Sequence, residues 1–506
     1  MGVITILSDS KSLLLASSTW LLLLSTCVLA LMVYFVSHSI YNLYLHPLAA
    51  FPGPWYAVIS NVFFSRTLVG GKSVKIIRDL HEKYGEVVRL APDELSFSSA
   101  AAWKDIYTQR KSGNQFLKDE KFYITNNTVR APHLVNMSDP VKHAQAKKIM
   151  SHAFSPKSLS EQEDIVRKYA DMFMVAIKEE SDKGPIDLND CYNWITFDIL
   201  GELAFSEPFG SLEARKTHPW VATTLNMVTF VAYNSAIYRI SPKLTKSLLY
   251  FVPKSVAKGR MNHVLQSKAK ILARLDRKTE KKDFSSYIFQ VREEMGLTDW
   301  ELSAYSNSLI IAGSETSATT LSALTHWLCK TPLVYSKLKD EVRSRFESSS
   351  EITSQSATFP YLTAVIHETL RIFPPFPFGP PRITPLGGET VAGVFVPEGT
   401  TVSVHMWSST RNPKNFKDPD AFRPERWLDP NSTDDFSGSN PFLLGPRACI
   451  GQNMAWMELR ILIAKMVFLF DFETFDKETD WGNDVDSLLL WQKPKLMTEV
   501  TARNVS

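Results

Sequence analysis

Apolar residues recur at three- and four-residue spacing along most of this chain, and that period predicts helices. It holds over 75–84, 161–180, 332–346, 360–372 and 451–470. A longer stretch, 298–329, opens at Thr298, a residue suited to an N-cap. Residues 186–275 are mostly helical in pattern, with breaks near Pro242 and Pro253. Strand-like patterns replace the helical period in three places. Residues 86–98 read as a hairpin, 374–404 as strands with turns at Gly387-Gly388 and Glu398-Gly399, and 486–501 as strands. Residues 110–137 keep no period and read as a long loop. No internal repeat or low-complexity segment appears. The sum is a mainly α fold with a minor β-sheet region.

One apolar stretch is not amphipathic. From Leu13 to Val36 every residue is apolar or small, with no charge. That is about 24 residues, or roughly 36 Å of helix, against a hydrocarbon core of about 30 Å. Residues 1–40 are therefore expected to be an N-terminal transmembrane helix, and 41–506 one large domain. The rival is a cleaved signal peptide, for which Val28-Leu29-Ala30 loosely resembles a cleavage site. That rival wants a basic start and a shorter apolar core, yet Asp9 and Lys11 cancel. Tyr41 and Tyr44 suit a membrane interface, and Pro47, Pro52 and Pro54 stiffen the exit. Arg66, Lys72, Lys75 and Arg78 follow, so the positive-inside rule places the large domain in the cytosol. The N-x-S/T triplets at Asn126, Asn136, Asn431 and Asn504 then read as chance matches.

Composition narrows the function. The 506 residues are 44% apolar and 22% charged, ordinary for a globular protein. A net charge of +3, with no basic run carrying interleaved aromatics, argues against nucleic acid as a partner. Cys27, Cys191, Cys329 and Cys449 are far apart and unpaired in spacing, which argues against a disulfide framework and a zinc site.

The most informative stretch is Phe442-Leu443-Leu444-Gly445-Pro446-Arg447-Ala448-Cys449-Ile450-Gly451, which reads F-x-x-G-x-R-x-C-x-G. A cysteine between two glycines suits an axial thiolate ligand to a haem iron. Gly445 and Gly451 would let the backbone pass close under the porphyrin. Arg447 would reach a haem propionate. A lone cysteine in a Gly/Pro-rich turn is ordinarily a small core hydrophobe, but five defined positions in ten make that reading poor here. The pattern resembles the haem-binding loop of the cytochrome P-450 monooxygenases.

Three further motifs carry the resemblance. Ala312-Gly313-Ser314-Glu315-Thr316 is similar to the family's A-G-x-E/D-T segment, with Gly313 leaving room for dioxygen and Glu315 and Thr316 relaying protons. Alone it would be a small-residue packing face. Glu368-Thr369-Leu370-Arg371 with Pro424-Glu425-Arg426-Trp427 resembles the E-x-x-R and second-arginine segments, implying a buried triad of Glu368, Arg371 and Arg426. His143 and Lys147, in the run from His143 to Pro156, lie where relatives meet the haem propionates, as does Arg382. Lysine at 147 keeps the charge without the bidentate fork of arginine.

The resemblance implies a cytochrome P-450 fold with an endoplasmic-reticulum anchor and a cytosolic catalytic domain. It implies haem b on Cys449, with Phe442 in the same loop, and electrons from NADPH through a reductase. It implies a monooxygenase that hydroxylates or epoxidises a hydrophobic small molecule. Tyr41–Pro54 and His143–Pro156 are similar to fungal microsomal enzymes of secondary metabolism, of the isotrichodermin-hydroxylase kind, so a polyketide or terpenoid is expected. The alternatives are a haem-thiolate isomerase or dehydratase working without a reductase, and a non-catalytic haem- or lipid-binding protein. Thr316 and the acid–alcohol pair argue against each in turn.

Overall fold

Thr298 and Glu301 cap each other reciprocally. The Glu301 backbone N–H donates to the Thr298 hydroxyl at 3.3 Å, and the Thr298 N–H donates to the Glu301 carboxylate at 2.9 Å. This capping box opens the helix Asp299–Lys330 in a computed structural model that describes residues 2–110, 113–123, 131, 133–243, 245–277, 283–290, 292–475, 479–482 and 484–504. The helix is buried over most of its length because apolar neighbours surround it. Leu188–Phe205, buried at nearly every position, packs along it, as do Lys254–Asp276 and Gln452–Leu469. Helices that are apolar all round belong in a core. Ser73–Tyr84 and Pro332–Arg343, polar on one face, lie at the periphery.

A five-stranded sheet flanks this helical body. Its order is Val87–Ala91, Glu94–Phe97, Thr401–Val404, Arg382–Ile383, Leu117–Lys118. Only the pairing of Glu94–Phe97 with Thr401–Val404 is parallel, Glu94 opposite Thr401 and Phe97 opposite Val404. A second core lies against this sheet, built from Leu95, Phe97, Trp103, Val402 and Val404. Ile186–Asp187, Met497–Ala502 and Phe470–Thr474 form a three-stranded sheet. A hairpin, Asp486–Leu488 with Leu490–Gln492, turns at Leu489 with φ of 71°.

The helical periods match elements closely. The stretch expected over 161–180 starts earlier, at Pro156, because the Ser155 hydroxyl caps it. Residues 186–275 resolve into Leu188–Phe205, Pro219–Ile240 and Lys254–Asp276 with short pieces between, and the breaks at Pro242 and Pro253 separate the last two. The aperiodic 110–137 stretch holds more structure than a loop: the strand Leu117–Lys118 and the turn of helix Glu120–Tyr123, while 111, 112, 124–130 and 132 lie outside the described residues. The helices Val62–Val69 and Ala100–Tyr107 are too short to show a period.

The N-terminal helix runs Gly2–Ile40 and continues as a π-helical turn, Tyr41–Leu45. Its apolar span is Thr19–Leu45, 27 residues of mean hydropathy 2.2, with none of its most apolar stretch buried against the rest of the chain. It is the one helix among the described residues long and apolar enough to cross a membrane. Arg89 ties its end to the sheet by donating to the carbonyl of buried Asn42 at 2.8 Å and to Pro92 at 2.7 Å. Deleting residues 2–40 should shift the protein toward the soluble fraction and leave its thermal midpoint unchanged. Deleting 2–45 should also remove the Arg89 partner and cost about 1–3 kcal/mol. Membrane fractionation and thermal denaturation of the two truncations check both statements.

Candidate active site

The Cys449 loop is shaped by two left-handed residues. Leu443 has φ of 60° and Gly445 of 70°. The Cys449 N–H donates back to the Phe442 carbonyl at 2.8 Å, and the Ala448 N–H to Gly445 at 3.0 Å. The helix Gln452–Leu469 follows directly. A Cβ at 445 would stand 2.4 Å from the Tyr107 carbonyl oxygen, so glycine is required there by the helix Ala100–Tyr107 that the loop rests on. Gly451 is under no such constraint from the protein, since a Cβ there meets only Cys449 Sγ and Phe154 at 3.9 Å. Phe442, half-buried, points its ring toward Trp456 at 6.5 Å. Cys449 is exposed. Surrounding protein pushes its thiol up, opposed by a backbone bond from Gly451 and the charge of Lys147.

The helix Asp299–Lys330 is buried from Leu302 to Ile310 and from Ser317 to His326, and opens only around Ala312 and at Thr316. That opening carries the A-G-x-E-T segment. The Thr316 hydroxyl donates to the Ala312 carbonyl at 2.6 Å. Glu315 faces away. It is buried, pairs with Lys493 at 2.7 Å and accepts from Thr319 at 3.3 Å. Consecutive residues on a helix diverge by about 100°, so the acid and the alcohol do not meet here. Gly313 likewise serves packing: a Cβ would lie 2.8 Å from Leu200 Cδ1 of the neighbouring helix.

Cations gather near the loop. Lys118 and Arg382 stand directly opposite each other on paired antiparallel strands. Like charges so placed repel. Arg382 donates to the Tyr123 hydroxyl at 3.1 Å. Arg447 donates to the carbonyls of Met137 and Ser138, each at 2.6 Å, and Lys118 to Leu134 and Val135. Burial and the Arg382 charge push Arg447 down to about 10. Burial, then Arg447 and Arg382, push Lys118 to about 6, so near neutral pH it is largely uncharged and takes up its proton when an anion approaches. His143 is buried and held neutral, down to about 3, by burial and the charges of Arg447, Lys118, Lys147 and Arg382. Among the described residues no carboxylate lies within ion-pair distance of Lys118, Arg382 or Arg447. Lys147 is placed differently from the propionate position expected of it. Its ammonium donates to the Pro446 carbonyl at 2.8 Å and so grips the cysteine loop itself.

Glu368, Arg371 and Arg426 are brought together, all fully buried. Glu368 receives two bonds from Arg371 at 2.8 Å, one from Arg426 at 3.1 Å, and others from the Arg423 N–H and Trp427 Nε1. Asp434, at 2.5 Å from Arg426, is a fourth member. Burial alone would raise the Glu368 carboxyl; the two arginines outweigh it and hold it below the usual carboxylate range. Its contribution to stability is therefore present above the ordinary glutamate pKa and lost as pH falls through the depressed value.

Three residues of this region escaped the sequence. Lys118 sat in an aperiodic stretch with no motif. Lys493, beyond the hairpin, has no sequence link to Glu315. Glu458, nine residues past Cys449, is buried, accepts from the Ser317 hydroxyl at 2.7 Å, and is pushed up to about 7 by burial.

The residues present fit a haem. Cys449 offers an accessible thiol for the metal, and the uncompensated cations offer counter-charge for two carboxylates. Such a donor set marks a haem-thiolate protein. The chain belongs to the cytochrome P-450 family, whose model matches residues 51–500. It is 37% identical over 476 residues to the cytochrome P-450 monooxygenase astJ of Aspergillus oryzae, covering 92% of this chain and 94% of the relative. It is 37% identical over 497 residues to the monooxygenase BOA3 of Botryotinia fuckeliana, 96% of each, and 39% identical over 443 residues to ORF11 of Penicillium roqueforti, 86% and 91%. It is an oxidoreductase of the haem monooxygenase class.

The packing role of Gly313 has a direct check. Alanine should raise helix propensity by about 1 kcal/mol, yet Gly313→Ala should destabilise by about 1–3 kcal/mol through overpacking on Leu200. Combined with Leu200→Ala, the cost should fall short of the sum by at least about 0.5 kcal/mol in denaturant unfolding. A Gly313→Ala variant more stable than wild type would contradict this packing.

Proposed function

We propose that this chain oxygenates an apolar small molecule of fungal specialised metabolism, a polyketide or terpenoid, at a haem b held by Cys449. Electrons come from NADPH through a membrane reductase. Residues 1–40 anchor the chain in the endoplasmic reticulum, and 41–506 form the cytosolic catalytic domain. The observation that carries the reading is the group of cations around Lys118, Arg382 and Arg447, with no carboxylate in ion-pair reach among the described residues, beside an accessible cysteine.

When bound, the haem supplies dioxygen activation and oxygen insertion; the protein supplies placement and protons. Cys449 presents its sulfur from a loop fixed by Gly445 against Tyr107 and gripped by Lys147. The Lys147 charge and the Gly451 bond favour the thiolate over the thiol. Lys118, Arg382 and Arg447 neutralise the propionates, and neutral His143 donates to them. Phe442 packs under the loop. The Glu368–Arg371–Arg426–Asp434 network keeps its segments in register rather than choosing substrate. Thr316 sits at the opening of the long helix, and its hydroxyl passes a proton to the oxygen site by leaving the Ala312 carbonyl. Glu315 reaches that task only by leaving Lys493, so Lys493 sets how readily the acid is released.

Thr316→Ala tests the proton role. NADPH should still be consumed, with a larger share ending as hydrogen peroxide and a smaller share as oxygenated product. The ratio of product to NADPH oxidised should fall by up to roughly 100-fold, the lower end of what a positioned proton donor contributes. An unchanged ratio would remove Thr316 from the mechanism. Turnover of the wild type without NADPH and reductase would favour the reductase-independent alternative.

A further inference from the structure

A small cavity lies where the sheet meets the turn Phe378–Pro381. Its wall is largely apolar, with Phe64, Leu68, Phe122, Phe378 and Leu489. It measures about 30 Å3, close to one water's share of liquid. It takes one functional group, not a ring system. Phe122 and Pro381 in its wall immediately precede Tyr123 and Arg382 in the chain.

Two side chains in that wall carry a buried N–H with no partner among the described residues. One is His405, 3% exposed, through Nε2. Its other ring nitrogen is already committed: the Ser408 backbone N–H donates to Nδ1 at 3.2 Å as the cap of the short helix Met406–Ser409, and the Ser408 hydroxyl lies 2.6 Å from the same nitrogen, where it can donate too. Nδ1 is therefore an acceptor, and the proton of the neutral ring sits on Nε2. Nearby His81 is engaged with Ser96 at 2.8 Å and stacks on His405 without bonding it. The other is Arg239, 9% exposed, through Nε. Its Nη1 pairs with buried Glu94, and its guanidinium lies 4.3 Å over the Phe64 ring.

We propose that this cavity is a subsite for a neutral carbonyl oxygen at one end of an apolar substrate, with His405 Nε2–H and Arg239 Nε–H as its two donors. The proposal rests on the reading of the chain as an oxygenase of apolar small molecules. A carbonyl oxygen has two lone pairs and takes two donors. A carboxylate is disfavoured, because Glu94 already neutralises Arg239 and a second negative charge would stand beside it. The apolar remainder of the substrate stays outside the cavity.

The test uses the full-length holoenzyme and three probes of one skeleton: trans-decalin, trans-1-decalone and trans-decalin-1-carboxylate. Equilibrium dialysis reads binding without relying on turnover. Wild type should bind the ketone about tenfold more tightly than the hydrocarbon, as a buried hydrogen bond would give, and the carboxylate no more tightly than the hydrocarbon. His405→Ser keeps a side-chain oxygen to cap Met406–Ser409 but carries no N–H into the cavity. Arg239→Lys keeps a charge for Glu94 but removes Nε. Either should bring the ketone preference within about twofold of unity. No ketone preference in wild type, a preference intact in both variants, or tightest binding of the carboxylate would overturn the proposal; an intact preference would mean that the cavity holds a buried water only. The carbon-monoxide spectrum of each reduced protein is recorded alongside. A normal thiolate band with no ketone preference places the failure in the subsite; no band in wild type places it in the oxygenase reading itself.

Discussion

Positive charge with no carboxylate in ion-pair reach among the described residues is the constraint around which the site is arranged. Lys118 and Arg382 face each other across paired strands, and Arg447 approaches from the cysteine loop. Pairs of like charge at such positions weaken a sheet, and burial deepens the cost. The protein softens it by aiming backbone carbonyls at the cations, those of Met137 and Ser138 at Arg447 and of Leu134 and Val135 at Lys118. Carbonyl dipoles do not neutralise a charge. A dianionic ligand does, and the same loop that carries Arg447 carries the one exposed cysteine outside the N-terminal helix. Haem binding and fold stability are thus coupled through one electrostatic debt.

One buried charge network elsewhere is fully matched. Glu368 is saturated by Arg371, Arg426, Trp427 and a backbone N–H, and Arg426 is further paired with Asp434. Replacing such a network by apolar groups is often neutral, whereas removing one member strands the rest. The contrast is functional. The matched network tolerates nothing further, so it holds segments in place, while the unmatched cluster waits for a ligand. Glu315 stands between these cases: paired with Lys493 and buried, it is matched, yet it borders the opening at Ala312 and Thr316.

The sequence showed the long helices, because their apolar periods run for three turns or more and Thr298, Pro332 and Pro360 punctuate them. It also showed the cysteine loop, whose glycines, arginine and cysteine are contiguous. Short elements such as Ala100–Tyr107 left no period to read. Reasons were harder than positions. Gly445 and Gly313 look like clearances for a cofactor, yet their missing Cβ atoms are accounted for by Tyr107 and Leu200. Such contacts are set by tertiary packing, which a local pattern does not encode. The same holds for Lys147, which reaches the Cys449 loop from another helix, and for Lys118 and Lys493, which come from stretches without any motif.

The central claim is that Cys449 ligates haem iron as a thiolate within this cationic pocket. The direct measurement is the carbon-monoxide difference spectrum of the reduced, full-length protein, for wild type and Cys449→Ala at matched haem content. Wild type should give the strongly red-shifted Soret band of a thiolate-ligated haem, and Cys449→Ala should lose it. Retention of that band in Cys449→Ala would contradict the account.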